Sequence, residues 1–251
     1  MMIKGFVYMQ VLAIGNSFSQ DAMRYLHQLA AADNEDLTAV NLYIGGCTLR
    51  QHYINMLTDS RSYVLQYNGE STGFFTSIKD ALINRKWDYI TLQQGSHESF
   101  DCSSYQPYLT VLAEFVRTYA PKAKLLIHQT WAYEQDSDRL RNVAGYDDQA
   151  QMFADVEEAY AKAAREIHVD GIIPSGKLFQ NLLAAGIEKV HRDTFHASLG
   201  IGRYALGLLW YHVLTKKPVK DLLFQDFDVP VSADEIAVVK QCVEQTAKHV
   251  I

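Results

Sequence analysis

Cysteine is scarce in this chain and does not cluster: Cys47, Cys102 and Cys242 are the only three, and no CxxC pair occurs among them. An odd, scattered set excludes a disulfide framework and a cysteine-based zinc knuckle. Proline is sparse too, five in 251 residues. With no Pro/Gly/Ser-rich tract and no internal repeat, there is no linker on which to divide the chain. No run approaches the roughly 18 consecutive apolar residues of a membrane-spanning helix. Positive charge is in deficit: 23 Lys plus Arg against 29 Asp plus Glu leaves a formal net charge of −6. That balance disfavours nucleic acid as a partner, since a phosphate backbone selects basic surfaces. The opening MMIKGFVYMQVLAIG holds one early Lys, and its apolar stretch is broken by Tyr8 and Gln10 before it runs into a strand-like segment. It does not read as a secretory leader, so a cytoplasmic location without a membrane partner is expected.

What is present is a globular composition, 48% hydrophobic and 21% charged, enough for one sizeable core over residues 1–251. Strand-length apolar runs at residues 7–14, 37–44, 87–92, 125–128 and 171–173 alternate with segments of helical period at 21–32, 48–57, 107–119, 149–167, 199–214 and 233–248. Such alternation predicts an α/β fold, a three-layer α/β/α sandwich around a doubly wound, mainly parallel five-stranded sheet. The pattern breaks between Tyr63 and Phe75, where Asn68-Gly69 suits a hairpin or a tight turn on the surface.

In a doubly wound sheet ligands bind beyond the carboxyl ends of the strands, so the polar residues that follow each strand are the places to search. These are Gly15-Asn16-Ser17-Phe18-Ser19, Gly45-Gly46-Cys47-Thr48, Gln93-Gln94-Gly95-Ser96-His97-Glu98 and His128-Gln129-Thr130-Trp131, with Asp193-Thr194-Phe195-His196 ahead of the late helix. Singly, each has a plain structural reading: Gly-Asn-Ser as a turn and helix cap, Gly-Gly as a turn, Asp193 and His196 as a cap and a satisfied surface histidine. Ser19 reads as a helix cap and Ser96 as structural. No HExxH or second carboxylate–histidine pair supports a metal. The run from Gly171 to Leu178 fits a phosphate loop until Leu178, which lacks the required hydroxyl. The glycines from Gly200 mimic a dinucleotide fingerprint but fall within a helical segment rather than after a strand. No cofactor is expected.

Together, the order of these blocks resembles the SGNH subgroup of the GDSL hydrolases, across essentially the whole chain. The family's Gly-Asp-Ser block appears as Gly15-Asn16-Ser17, its oxyanion glycine matches Gly46 with Gly45 as the near alternative, and its Asp-x-x-His is met by Asp193 and His196. The third block departs: where the family has Gly-x-Asn-Asp, this chain has Gly95-Ser96-His97-Glu98. The Gln94-Gly95 pair is instead similar to the Gln-Gly-Glu variant of the carbohydrate O-acetylesterases. The segments IGNSFS, WDYITLQQGS, HQTWAY and DTFHAS resemble a bacterial branch of the superfamily near those enzymes.

The resemblance implies a flavodoxin-like layered fold and a Ser17–His196–Asp193 triad that removes an acyl group, in the first instance acetyl, from a small ester such as an acetylated sugar. It also implies an oxyanion hole from the N–H groups of Ser17 and Gly46 with the Gln94 side chain, His97 being the alternative to Gln94. The chemistry fits these residue types. A serine hydroxyl needs a base within reach, and the base needs an acceptor that holds its tautomer. Substrate contacts are expected from Asn16, His97, His128 and Trp131, the last on a polar loop running past Tyr133 to Tyr146 that is long enough to cover a site. Cys47 as an alternative nucleophile lacks any reason for a lowered pKa. The competing readings are a non-catalytic carbohydrate-binding protein on the same fold and a lipid or lysophospholipid esterase.

Overall fold

A computed structural model describes residues 8–248. Val7, with which the first expected strand begins, and the rest of residues 1–7 of the segment read for a leader lie outside them. Five strands run parallel: β1 (Tyr8–Gly15), β2 (Asp36–Tyr43), β5 (Tyr89–Leu92), β6 (Lys124–His128) and β7 (Gly171–Ile173), each within a few residues of its sequence expectation. Two more, β3 (Tyr63–Tyr67) and β4 (Glu70–Thr76), form an antiparallel hairpin that docks β3 on β2. The sheet therefore has seven strands in the order β4-β3-β2-β1-β5-β6-β7, not the expected five. The surplus is the Asn68-Gly69 segment, which is a hairpin but not a detached one. Asn68 enters its turn at φ 52, and its backbone N–H and side-chain Oδ1 bond the carbonyl and N–H of Ala39 at 2.7 and 2.9 Å, stitching the turn to β2.

Residues from Val11 to Ile14 are fully buried because the sheet is covered on both faces. The pleat sends alternate side chains to opposite layers. Val11 and Ala13 join a core with α1 (Ser17–Met23), α2 (Leu26–Ala32), α7 (Ser175–Ala184), α8 (Ile201–Thr215) and α9 (Ala233–Ala247). Leu12 and Ile14 face α3 (Leu49–Leu57), α4 (Ile78–Asn84), α5 (Tyr108–Tyr119) and most of α6 (Gln149–Glu166). Helix α8 is buried on nearly all sides between sheet and α9, matching its almost uninterrupted apolar sequence.

Three local differences from expectation have physical causes. The single helix expected at 21–32 is two, α1 and α2, separated at Arg24-Tyr25, where the Tyr25 hydroxyl donates to the Leu199 carbonyl and accepts from the Asp228 N–H, both at 2.8 Å. Helix α1 also starts earlier than expected because Asn16, not Ser19, is its cap, with Ser19 the reciprocal member of a capping box. Helices α4 and α7 had no sequence assignment. The second follows Pro174, so the phosphate-loop mimic is simply β7 running into a helix. No helix among the described residues is long and apolar enough to cross a membrane.

Candidate active site

The chain passes from β1 to β2 on one side and later to β5 on the other, so β1 is the switch point and its carboxyl end the natural crevice. Gly15 closes β1 where a Cβ would sit 2.3 Å from the Ser19 hydroxyl, so only glycine lets the chain turn this tightly into α1. Asn16 then caps α1. Its Oδ1 accepts from the Phe18 N–H at 2.9 Å and from the Gln93 amide at 2.6 Å, while its Nδ2 donates to the Cys47 carbonyl at 3.0 Å. One side chain thus ties the ends of β1 and β5 to the loop after β2. Ser17 is the first residue of the helix, 9% exposed, with its hydroxyl turned away from this network.

That hydroxyl lies 2.8 Å from Nε2 of His196, a residue 179 positions away in sequence. On the other side of the ring, Nδ1 lies 2.8 Å from Oδ2 of Asp193, and Asp193 Oδ1 accepts the His196 backbone N–H at 2.9 Å. The carboxylate therefore grips both the ring and the main chain of the same residue. Desolvation pushes the Asp193 pKa up, but the hydrogen bonds from His196 outweigh it and hold the group below its ordinary value. An ionised carboxylate only accepts, so Nδ1 carries the proton and Nε2 presents its lone pair to the Ser17 hydroxyl.

The 192–197 loop is fastened to α1 by a residue the sequence reading passed over. Asp21 is fully buried one turn after Ser17, where its carboxylate receives the Arg192 guanidinium at 2.9 Å, the Arg203 Nε at 2.8 Å and the Ala197 N–H at 3.1 Å. Base and nucleophile are in this way attached to a common post. The sequence signal was a lone carboxylate four positions after Ser17 in an otherwise apolar helical stripe. On the outer side, the Trp131 indole donates to the Phe195 carbonyl at 2.7 Å and the Glu134 N–H to the Thr194 carbonyl at 2.7 Å.

The remaining expected site residues divide. Gly46 is exposed in the turn after β2 at φ +64, a left-handed conformation that suits glycine. None of the hydrogen bonds among the described residues uses its N–H or that of Ser17. His97 is exposed, with its ring beside Gly95.

Gln94, expected as an oxyanion donor, is fully buried with both ends engaged. Its Oε1 accepts from Leu49 and Gly95 at 2.8 Å each, and its Nε2 donates to the Ser104 hydroxyl at 3.0 Å and carbonyl at 3.2 Å. It braces the loop and is not free to meet a ligand. His128 and Trp131, expected as substrate contacts, are also fully buried. Trp131 stacks between Phe18 and Phe179 at 4.0 and 4.6 Å. His128 donates from Nδ1 to Gln93 Oε1 at 2.8 Å and accepts at Nε2 from Ser175 at 3.0 Å, and burial lowers its pKa to about 3. Asn16 touches the network beneath the nucleophile, not the crevice. Cys47 is buried and its thiol is pushed up to about 12 by desolvation, which removes it as a nucleophile. Among the described residues no group of His, Cys, Asp or Glu could hold a metal ion.

The family described as "Domain of unknown function (DUF4886)" matches residues 10–245. A DUF4886 family protein from Bacteroides uniformis is 32% identical, superposes with a TM-score of 0.88, and the match covers 96% of this chain and 95% of that one. A protein from Slackia heliotrinireducens, provisionally assigned as an SGNH hydrolase, is 21% identical with a TM-score of 0.60 over 82% of this chain and 98% of its own. A lipase/acylhydrolase from Enterococcus faecalis is 14% identical with a TM-score of 0.55 over 83% of this chain and 96% of its own. These two likenesses show that the fold is that of the SGNH hydrolases. No curated protein matches the sequence.

Proposed function

The chain belongs to the DUF4886 family and has the fold of the SGNH hydrolases, and from that premise we propose that it is a serine ester hydrolase acting through Ser17, His196 and Asp193. The observation that carries this reading is the pair of 2.8 Å contacts linking Ser17 Oγ to His196 Nε2 and His196 Nδ1 to Asp193 Oδ2, across 179 residues of sequence. In the proposed reaction Ser17 Oγ attacks the ester carbonyl while its proton passes to Nε2. The tetrahedral intermediate collapses, the alcohol leaving with that proton and the acyl group remaining on Ser17. A water then gives its proton to Nε2 and attacks the acyl carbon; the bond to Ser17 Oγ breaks, Oγ takes the proton back from Nε2, and the acid is released. The N–H groups of Ser17 and Gly46 are the oxyanion donors in this reading. With Gln94 engaged elsewhere, His97 is the side chain left to supply a third. Each donor is worth roughly 10²–10³ in turnover.

The finer substrate assignment, a short acyl group and specifically acetyl on a carbohydrate, rests on the Gln94-Gly95 sequence likeness. A longer-chain lipid ester is the competing substrate, and rates on 4-nitrophenyl acetate and octanoate separate the two. The same acetate ester tests the mechanism. Wild type is expected to hydrolyse it and Ser17→Ala and His196→Ala to fall to background; equal rates in all three would overturn the proposal. A non-catalytic carbohydrate-binding role is the second reading, favoured by the absence of a free amide where the family places its oxyanion side chain. A fluorophosphonate adduct on Ser17 supports the enzyme, and sugar binding without an adduct supports the binder.

A further inference from the structure

Several cations around the site are matched by carboxylates. Arg192 and Arg203 hold Asp21 at 2.9 and 2.8 Å, Arg141 holds Asp136 at 2.9 Å, and Lys189 holds Glu134 at 2.9 Å. Arg139 is not matched in this way. Its guanidinium has no carboxylate within 4.0 Å among the described residues, and its polar neighbour is the Tyr133 hydroxyl. Its guanidinium carbon lies 3.7 Å from the centre of the Phe195 ring and 5.7 Å from that of Tyr133. Phe195 in turn has its ring centre 3.8 Å from that of His196. One aromatic ring therefore separates a cation without a carboxylate partner from the base of the triad.

The arrangement is held in place. The Ser137 hydroxyl donates to the Glu134 carbonyl at 2.7 Å and accepts the Leu140 N–H at 3.1 Å, which fixes the turn carrying Arg139. The Gln149 amide secures the start of the loop through the Tyr133 carbonyl at 2.7 Å, and the Tyr133 hydroxyl meets Ser96 Oγ at 3.0 Å, at the end of β5. A guanidinium in face-to-face contact with a phenyl ring has its N–H bonds lying in its own plane, directed past the ring rather than into it. The ring covers one face, and beyond the contact with the Tyr133 hydroxyl donors remain along the edge. That edge matches two oxygens of a carboxylate.

We propose that Arg139, seated on Phe195 beside His196, is a specificity residue that binds a carboxylate on the ester substrate, so that the protein acts on anionic esters, such as an acylated sugar acid, in preference to neutral ones. The inference rests on the hydrolase reading above and adds the substrate class to it. The anion's two oxygens accept from the guanidinium, the ester lies across Phe195, and its carbonyl reaches Ser17. No additional chemical step is required.

Two matched pairs of esters test this, one with the charge on each side of the scissile bond. They are 4-acetoxybenzoate against its methyl ester, and the 4-nitrophenyl monoester of adipic acid against its methyl diester, each corrected for uncatalysed hydrolysis. In at least one pair, the ratio of kcat/KM for the anionic over the neutral ester is expected to be about 10- to 100-fold higher for wild type than for Arg139→Met. Arg139→Lys, which keeps the charge without the planar fork, should retain an intermediate ratio, and added salt should reduce the wild-type advantage. Because the readout is a ratio, a general loss of activity cancels. Ser17-dependent hydrolysis with the same ratio in wild type and Arg139→Met for both pairs would overturn the anion site and leave the hydrolase standing. No Ser17-dependent hydrolysis of any of the four esters, together with no fluorophosphonate label, would overturn both.

Discussion

At position 16 the side chain accepts two hydrogen bonds and donates one, and the asparagine amide does so from two separate atoms. Asn16 Oδ1 takes the Phe18 N–H and the Gln93 amide, while Nδ2 serves the Cys47 carbonyl. An aspartate would keep the cap but lose the donor, and would set a buried charge against a carbonyl oxygen. The Asn16→Asp variant is therefore expected to lose roughly 1–3 kcal/mol of stability, measured as a shift of the urea midpoint at unchanged m-value. Ser17, His196 and Asp193 were legible as residue types at recognisable spacings. The roles of their neighbours were not, because His128, Trp131 and Gln94 sit at strand ends where polar side chains either face a ligand or fasten a loop, and sequence does not say which.

Gln94 belongs as much to the scale of elements as to that of residues, because its amide joins the end of β5 to the start of α3 and to the short turn at Cys102–Ser104. An oxyanion donor and a brace respond differently to truncation. Gln94→Ala is expected to destabilise the fold by about 1–3 kcal/mol, since buried N–H and hydroxyl partners lose their acceptor or donor. Its kcat at a temperature where it is fully folded should fall by less than about tenfold, against the 10²–10³ of a lost oxyanion contact. Steady-state kinetics on 4-nitrophenyl acetate beside a thermal melt distinguish the two. Helix α1 and the 192–197 loop form the other functional unit, pinned together through buried Asp21. The periodicity at 21–32 located this helical region but not its true start, which the Asn16 cap decides, nor its break, which the contacts of Tyr25 decide.

At the scale of the whole molecule, three histidines among the described residues are buried in ways that disfavour their charged form. Desolvation lowers His52 and His128 to about 3 and His191 to about 4, from an ordinary value of 6.5. Below pH 6.5 the unfolded chain takes up protons at these sites while the folded protein does not until about pH 3–4, so their contribution is complete above 6.5 and is lost as pH falls towards the folded values. Each site contributes a slope of up to about 1.4 kcal/mol per pH unit. Urea unfolding at pH 7 and pH 5.5 should show a clear loss at the lower pH, and a flat profile would contradict the burial. By itself the sequence determined the layered α/β class, the five parallel strands and the candidate nucleophile, base and carboxylate, since hydrophobic period and local motifs are properties of neighbouring residues. Only the tertiary structure decided that a hairpin widens the sheet to seven strands, that Gln94, His128 and Trp131 face inward, that Asp21 pins base to nucleophile, and that Arg139 has no carboxylate partner among the described residues. Those outcomes depend on which distant groups compete for the same hydrogen bonds and the same buried space, and that competition exists only once the chain is folded.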